Sequence, residues 1–178
     1  MPSDPAEQAD PEERARQVCL RLLTFAPRTR AQLAQALARQ HIPAGVADAV
    51  LGRFTDAGLI DDAAFARAWV ESRHHGRGLA RRALGAELRR RGVGDDEIRG
   101  AMSTLGPDEE AETARRLVER RLVGTRGQRP DARARRLAGM LARKGYPAGL
   151  AFRVIREALE AEGEEDPAVL GDDPAWTE

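Results

Sequence analysis

Few side chains in this sequence have the type and spacing that catalysis needs. Three histidines occur, His41 and the adjacent pair His74-His75. Metal ligands on a helix sit one turn apart, so two neighbouring imidazoles diverge rather than chelate. Asp61-Asp62 is an acid pair that a metal-dependent nuclease could use. It directly precedes a helical stretch, however, where carboxylates commonly cap the free N–H groups. Cys19 lies in the apolar run Val18-Cys-Leu-Arg-Leu-Leu23 and reads as a small buried hydrophobe rather than a nucleophile. No Gly-x-x-x-x-Gly-Lys phosphate loop, Gly-x-Ser-x-Gly elbow or zinc-ligand spacing occurs. Nothing assembles a nucleophile, a base and an oxyanion donor, so the expectation is a non-enzyme with no metal and no cofactor.

The arginines are better organised. On the helix around Leu84 and Leu88, Arg82, Gly85 and Arg89 form a stripe flanked by Arg81 and Arg90. Small residues beside guanidinium groups let a phosphate or carboxylate surface come close. A later helix echoes the pattern with Arg133, Arg135, Arg136, Arg143 and Lys144, and Arg77 precedes the first set. A cation in a helix's last turn offsets the dipole, which accounts for Arg39, Arg90 and Arg143. Arg81, Arg82, Arg133, Arg135 and Arg136 sit in first turns, where cations are mildly unfavourable. That misplacement points to an anionic partner. The candidate partner- or DNA-binding residues are therefore Arg77, Arg81, Arg82, Arg89, Arg90, Arg133, Arg135, Arg136, Arg143 and Lys144.

A threefold repeat positions these residues. Leu33-Ala-Gln-Ala-Leu37, Leu84-Gly-Ala-Glu-Leu88 and Leu137-Ala-Gly-Met-Leu141 recur at intervals of 51 and 53 residues. Each is followed at one offset by an apolar residue: Ile42, Val93, Tyr146. Further apolar positions then follow a helical face: Ala47, Val50, Leu51 and Phe54; Ile98, Ala101, Met102 and Leu105; Ala151, Val154, Ile155 and Ala158. Such recurrence predicts stacked helical modules, which offer a binding surface more readily than an enclosed catalytic core.

Each module reads as three helices. The first has them near 12–25, 29–40 and 44–57, the second near 62–74, 79–91 and 95–105, the third near 108–122, 131–144 and 147–162. Thr29-Arg-Ala-Gln32 has the form of a capping box. His41 stands where the other modules have Gly92 and Gly145, a helix C-cap position. Leu59, Ile60, Phe65 and Trp69 are expected in the core, and no strand is expected. The predicted fold is all-α, an elongated array of three tandem three-helix repeats, with disordered acidic tails. Its segments are an N-terminal tail 1–11, repeats 12–60, 61–106 and 107–162, and a C-terminal tail 163–178.

Charge supports this division. The 178 residues carry 29 Lys and Arg against 29 Asp and Glu, and Lys144 is the one lysine. Residues 1–13 hold five acids and no base, and residues 157–178 hold nine acids and no base. The stretch 14–156 therefore keeps every base with only 15 acids, a net +14. A basic body seeks a polyanion, nucleic acid or the acidic surface of a nucleic-acid machine. The acidic C-terminal tail could compete for that body as a tethered anion. One cysteine, no signal peptide and no long apolar run fit a cytoplasmic protein without a membrane partner.

The junction Gly58-Leu-Ile-Asp-Asp-Ala-Ala-Phe-Ala-Arg-Ala-Trp-Val70 resembles the signature of the RecX family of recombinase regulators. Gly78-Leu-Ala-Arg-Arg-Ala-Leu-Gly-Ala-Glu-Leu-Arg-Arg-Arg-Gly-Val93 and Leu141-Ala-Arg-Lys-Gly-Tyr146 extend the resemblance over about residues 14–160. It implies arrays of three-helix units that bind the RecA–DNA filament in its groove and inhibit its ATPase, strand-exchange and coprotease activities. Through these, such proteins modulate DNA repair, recombination and the SOS response. The implied partners are the RecA filament and, weakly and without sequence preference, single- and double-stranded DNA, with the protein itself a monomer. The sequence departs from the family at Gln40-His41, where a basic residue and glycine are usual. A second reading is a stand-alone helix-turn-helix protein using Thr29–Phe54. Its recognition helix would be Ala44-Gly-Val-Ala-Asp-Ala-Val-Leu, which lacks the Arg, Asn or Gln that reads base edges.

Overall fold

The computed structural model describes residues 10–163. Among them are nine α-helices and no strand: α1 Pro11–Phe25, α2 Arg30–Arg39, α3 Ala44–Asp56, α4 Asp62–Arg77, α5 Arg81–Arg90, α6 Asp95–Met102, α7 Pro107–Leu122, α8 Pro130–Arg143 and α9 Ala148–Ala161. They follow the expected three-by-three order. The acidic tails lie outside the described residues except at their inner ends. Pro11, read as tail, is the first residue of α1, where its fixed φ and missing N–H suit a helix start. Asp10 caps that helix, its carboxylate accepting the Glu12 N–H at 3.3 Å.

Contacts divide the chain into two compact units, one of residues up to 69 with 87–101, the other of 70–86 with residues from 102 on. The middle three-helix group thus contributes to both. In the first unit, α1, α2 and α3 enclose Ala15, Cys19, Leu33, Leu37, Ile42, Ala47, Val50, Leu51, Phe54 and Ile60. In the second, α7, α8 and α9 enclose Leu117, Val118, Leu122, Leu137, Leu141, Tyr146, Val154, Ile155 and Leu159, with Ala80 among them. The repeat-defining leucines are all inaccessible to solvent. In α9 the innermost late position is Leu159, with Ala158 only partly buried. Burial raises the thiol pKa of Cys19, as its apolar setting requires.

Two expectations need correction. Phe65 and Trp69 are not core: the enclosed residues of α4 are Ala66, Val70 and His74, one helical turn apart. Phe65 and Trp69 are half-buried and stacked, with centroids 5.7 Å apart. Trp69 donates its indole N–H to Glu87 at 2.8 Å, and the Arg91 guanidinium lies 3.7 Å above its ring. A ring with a polar edge and a cationic neighbour is served better at the margin of a core than inside it. Leu59 also faces solvent, at 51% exposure, and Ile60 alone turns inward.

All three middle helices end alike. The N–H groups of His41, Gly92 and Gly145 reach Ala38, Arg89 and Ala142 carbonyls at 2.9–3.0 Å; those of Ile42, Val93 and Tyr146 reach Leu37, Leu88 and Leu141 at 3.1–3.2 Å. This termination requires a left-handed residue. His41 adopts it at φ 55°, Gly92 at 76° and Gly145 at 86°. Chirality alone does not exclude a side chain there, as His41 shows; space does. A Cβ on Gly145 would lie 2.6 Å from the Ala83 backbone nitrogen, and one on Gly92 would strike the Ala31 Cβ. Each glycine packs on the start of the middle helix before it, whereas His41 follows the first such helix and is exposed.

Gly145→Ala is expected to destabilise the protein by more than about 2 kcal/mol, combining left-handed strain with overpacking. His41→Gly should leave stability unchanged or raise it by up to about 1 kcal/mol, since relief of strain outweighs glycine's chain entropy. Denaturant midpoints test both, and an unshifted Gly145→Ala midpoint would contradict the close approach.

Candidate polyanion-binding residues

Arg81 and Arg82 open α5 and Arg133 is the fourth residue of α8, but Arg135 and Arg136 fall in the second turn of α8, so the expected first-turn placement fails for those two. Arg133 is the clear correction to the candidate set. Its side chain is 1% exposed, and its guanidinium donates to Thr125 Oγ1 at 3.0 Å and to Glu162 at 2.5 Å. A further weak bond reaches the Leu122 carbonyl. It ties α8 to the turn after α7 and to the end of α9, and has no surface to offer a partner. The Glu162 carboxyl is held below its ordinary value, chiefly by the Arg133 hydrogen bond and with help from Arg126. Arg81 is also partly occupied. Its N–H donates to Glu110 at 2.8 Å and its guanidinium to the Leu105 carbonyl at 3.1 Å.

Arg82 and Arg136 are exposed and carry no ion pair among the described residues. Arg135 stands 3.9 Å from Asp131, an exposed one-turn pair of the kind that contributes little. The Arg143 guanidinium lies over Gly139, where an added Cβ would come within 3.4 Å of it. A small residue beside a guanidinium is thus realised on α8. On α5, Gly85 is itself buried. Arg89 and Arg90 belong to the first unit; Arg89 bonds Asp95 at 3.0 Å and Arg90 is exposed.

Lys144 lies near Arg77 and near Arg120 of α7. Neither Arg120 nor Arg116, one turn before it, stood out in the sequence. Lys144 donates Nζ to the Arg77 carbonyl at 2.6 Å. Burial first, then repulsion from Arg120 and Arg77, lowers its pKa. Arg116 and Arg120 line an open groove of about 460 Å³ with His74, His75, Gly78, Thr113 and Glu119. Their four-residue spacing on α7 marks one helix face and was the available signal; the flanking acids Glu112 and Glu119 disguised it as an ordinary solvated helix.

The residues with catalytic potential are occupied otherwise. Asp61 Oδ1 accepts the Ala64 N–H at 2.7 Å and so caps α4. Asp62 accepts the Arg30 N–H at the start of α2 at 2.9 Å, and burial is the main cause of its raised pKa. His74 is buried, with Nδ1 2.9 Å from the Leu79 carbonyl and Nε2 2.9 Å from Thr113 Oγ1. Each contact is a hydrogen bond internal to the fold. In α3, the recognition helix of the helix-turn-helix alternative, the one basic residue, Arg53, pairs with Glu12 at 2.7 Å. No helix among the described residues is long and apolar enough to cross a membrane.

Three family profiles match in tandem: RecX, first three-helix domain, at residues 15–54; second three-helix domain at 61–102; third three-helix domain at 108–155. The chain belongs to the RecX family. A protein named Regulatory protein RecX from Thermobifida fusca (strain YX) is 62% identical over 164 residues, covering 90% of this chain and 89% of its own. One of the same name from Amycolatopsis mediterranei (strain U-32) is 45% identical over 173 residues, covering 93% of this chain and 99% of its own. The crystal structure of RecX from Lactobacillus salivarius gives a TM-score of 0.77 at 18% identity, covering 83% of this chain and 96% of that one. A second RecX crystal structure gives 0.74 at 23% identity, covering 83% and 72%. At such identity the likeness concerns the fold. These relatives are named regulatory proteins.

Arg133→Met should lower the melting temperature at neutral pH. A carboxyl with a depressed folded pKa stabilises fully above its ordinary value, 4.5 for Glu162, and loses that contribution as pH falls through the lowered value. The variant should therefore also lose less stability than the native chain on acidification below about pH 4.5. Thermal melts from neutral to acid pH measure this; parallel curves for the two proteins would dismiss the Arg133–Glu162 account.

Proposed function

We propose that this RecX-family protein binds the groove of the RecA–DNA filament and inhibits the recombinase. ATP hydrolysis, strand exchange and coprotease activity would all be lowered, which would modulate DNA repair, recombination and the SOS response. It acts by binding rather than catalysis, as a monomer in the cytoplasm. The observation that carries this reading is membership of the RecX family through all three domains in order. Exposed cations without carboxylate partners among the described residues, Arg82 and Arg136 among them, agree with it, because a groove beside bound DNA is polyanionic. Asp61 and Asp62 serve helix N-termini, which weakens a nuclease reading. The pairing of Arg53 with Glu12 on α3 likewise weakens sequence-specific recognition of bare DNA.

The deciding measurement is RecA ATPase activity on single-stranded DNA with increasing protein. Hydrolysis should fall at or below stoichiometric amounts. Unchanged hydrolysis with the protein demonstrably bound would remove the inhibitory reading. Arg82→Glu with Arg89→Glu should leave helicity and melting nearly intact, since exposed charges and pairs contribute about 0–1 kcal/mol. Filament affinity should drop strongly and its salt dependence flatten. Native affinity in this variant would assign both arginines to the solvated surface.

A further inference from the structure

The groove on α7 carries features that neither the fold nor the family match explains. Its floor is a clamped turn between α4 and α5. Gly78 takes φ 63°, and a Cβ there would meet the Leu117 side chain at 2.9 Å. Tyr146 donates its hydroxyl to the Gly78 carbonyl at 3.0 Å, and Lys144 Nζ donates to the Arg77 carbonyl at 2.6 Å. The Ala80 N–H donates to the Lys144 carbonyl at 2.9 Å, and the imidazole of buried His74 holds the Leu79 carbonyl. Every residue from 77 to 80 is therefore tied down through its backbone.

One wall is aimed by the same chain of bonds. Arg116 donates to Thr113 Oγ1 at 2.8 Å, and that hydroxyl meets His74 Nε2 at 2.9 Å. Nδ1 donates to the Leu79 carbonyl, because a carbonyl oxygen can only accept. The Nε2 contact holds the Thr113 hydroxyl, and that hydroxyl holds Arg116 beside the groove. Among the described residues, Arg77, Arg116, Arg120 and Lys144 have no carboxylate within ion-pair range. Glu119 is the carboxylate in the lining; Glu109 stands 3.9 Å from His75 at the rim. Like charges gathered on a rigid support repel one another, and an anion would relieve that repulsion.

We infer that this groove is a binding site for the backbone phosphates of a nucleic-acid strand, held by Arg116 and Arg120 of its lining, with Arg77 and Lys144 of the clamped turn beside it. The lining separates this from an acidic protein surface. Protein–protein contacts have an apolar centre depleted of charge, whereas nucleic-acid contacts are polar, cationic and wet. His74, His75, Gly78, Thr113, Arg116, Glu119 and Arg120 offer no aliphatic or aromatic-hydrocarbon side chain. The site makes no base-edge selection, so binding should be tolerant of sequence and sensitive to salt.

The inference deepens the partner reading above, and its test omits the recombinase so that the two can fail separately. The full chain is titrated against fluorescein-labelled oligothymidylate in low salt, with anisotropy as the readout. Arg120→Gln and Arg77→Gln remove exposed guanidinium groups that make no bond among the described residues, and both should melt as the native chain does. Each should weaken binding by about fivefold, and the slope of log K against log salt should shallow by about 0.7 per lost phosphate contact. Arg16→Gln, on α1 and paired with Glu13 at 2.9 Å, is the control for general charge and should bind as the native chain does. The inference is overturned by native affinity and slope in both groove variants, or by equal weakening in Arg16→Gln. It is also overturned if the variants keep oligothymidylate binding but lose poly-glutamate, which would make the groove a site for acidic protein surfaces.

Discussion

The starts of the middle helices set the terms for everything stacked around them. A helix begins with N–H groups that its own backbone cannot satisfy. In α2 and α5 the first helical residues are Arg30 and Arg81, cations at the positive end of the dipole. Neither first turn contains an acid. The remedy comes from the following three-helix group, whose carboxylates accept these first amides, Asp62 for Arg30 and Glu110 for Arg81. A second bond repeats beside each. Thr29 donates its hydroxyl to the Arg91 carbonyl at 2.6 Å, and Ala80 donates its N–H to the Lys144 carbonyl. The glycine that follows, Gly92 or Gly145, lies against the same helix start. Each junction therefore joins a donor-rich helix start to an acceptor-rich helix end, with no room for a side chain between.

The other two middle-helix termini are built differently. The first residue of α8 is Pro130, which has no N–H for a carboxylate to satisfy. At the C-cap of α2, His41 is exposed and keeps a side chain despite its left-handed backbone. The difference comes down to single atoms: an amide hydrogen absent at the start of α8 and a Cβ permitted at the end of α2.

The same bookkeeping sorts the arginines. A guanidinium near a helix start is either drawn into the fold or left outside it. Arg133 is drawn in completely, within the third three-helix group, and Arg81 in part, at the second junction; Arg82 stays in solvent, as does Arg136 one turn further into α8. The turn 77–80 lies at the second junction, where Lys144 and Ala80 meet. The bonds that fasten the repeats thus also gather cations beside α7. Architecture and electrostatics share residues at this point, which is why a rigid basic groove forms without an active-site motif in the sequence.

Periodicity alone determined much of this protein. The leucine pairs, the apolar positions 14 residues and more beyond them, the Thr29–Gln32 capping box and the C-cap role of His41 all follow from local geometry, and local geometry is written in local sequence. The family too was legible, because junction residues such as Asp61, Asp62 and Gly78 are tightly constrained. Periodicity could not decide which member of an amphipathic face goes deepest: α4 buries Ala66, Val70 and His74 and leaves Phe65 and Trp69 at the margin. Nor could it separate Arg133 from Arg135 and Arg136, which look alike in sequence. Glu162 lies 29 residues away from Arg133 and Lys144 67 residues away from Arg77, so only tertiary packing decided that one arginine is buried in an ion pair and the other stays exposed with a lysine on its carbonyl. Charge is a property of a residue, but whether it is spent or free depends on the neighbours that the fold brings to it.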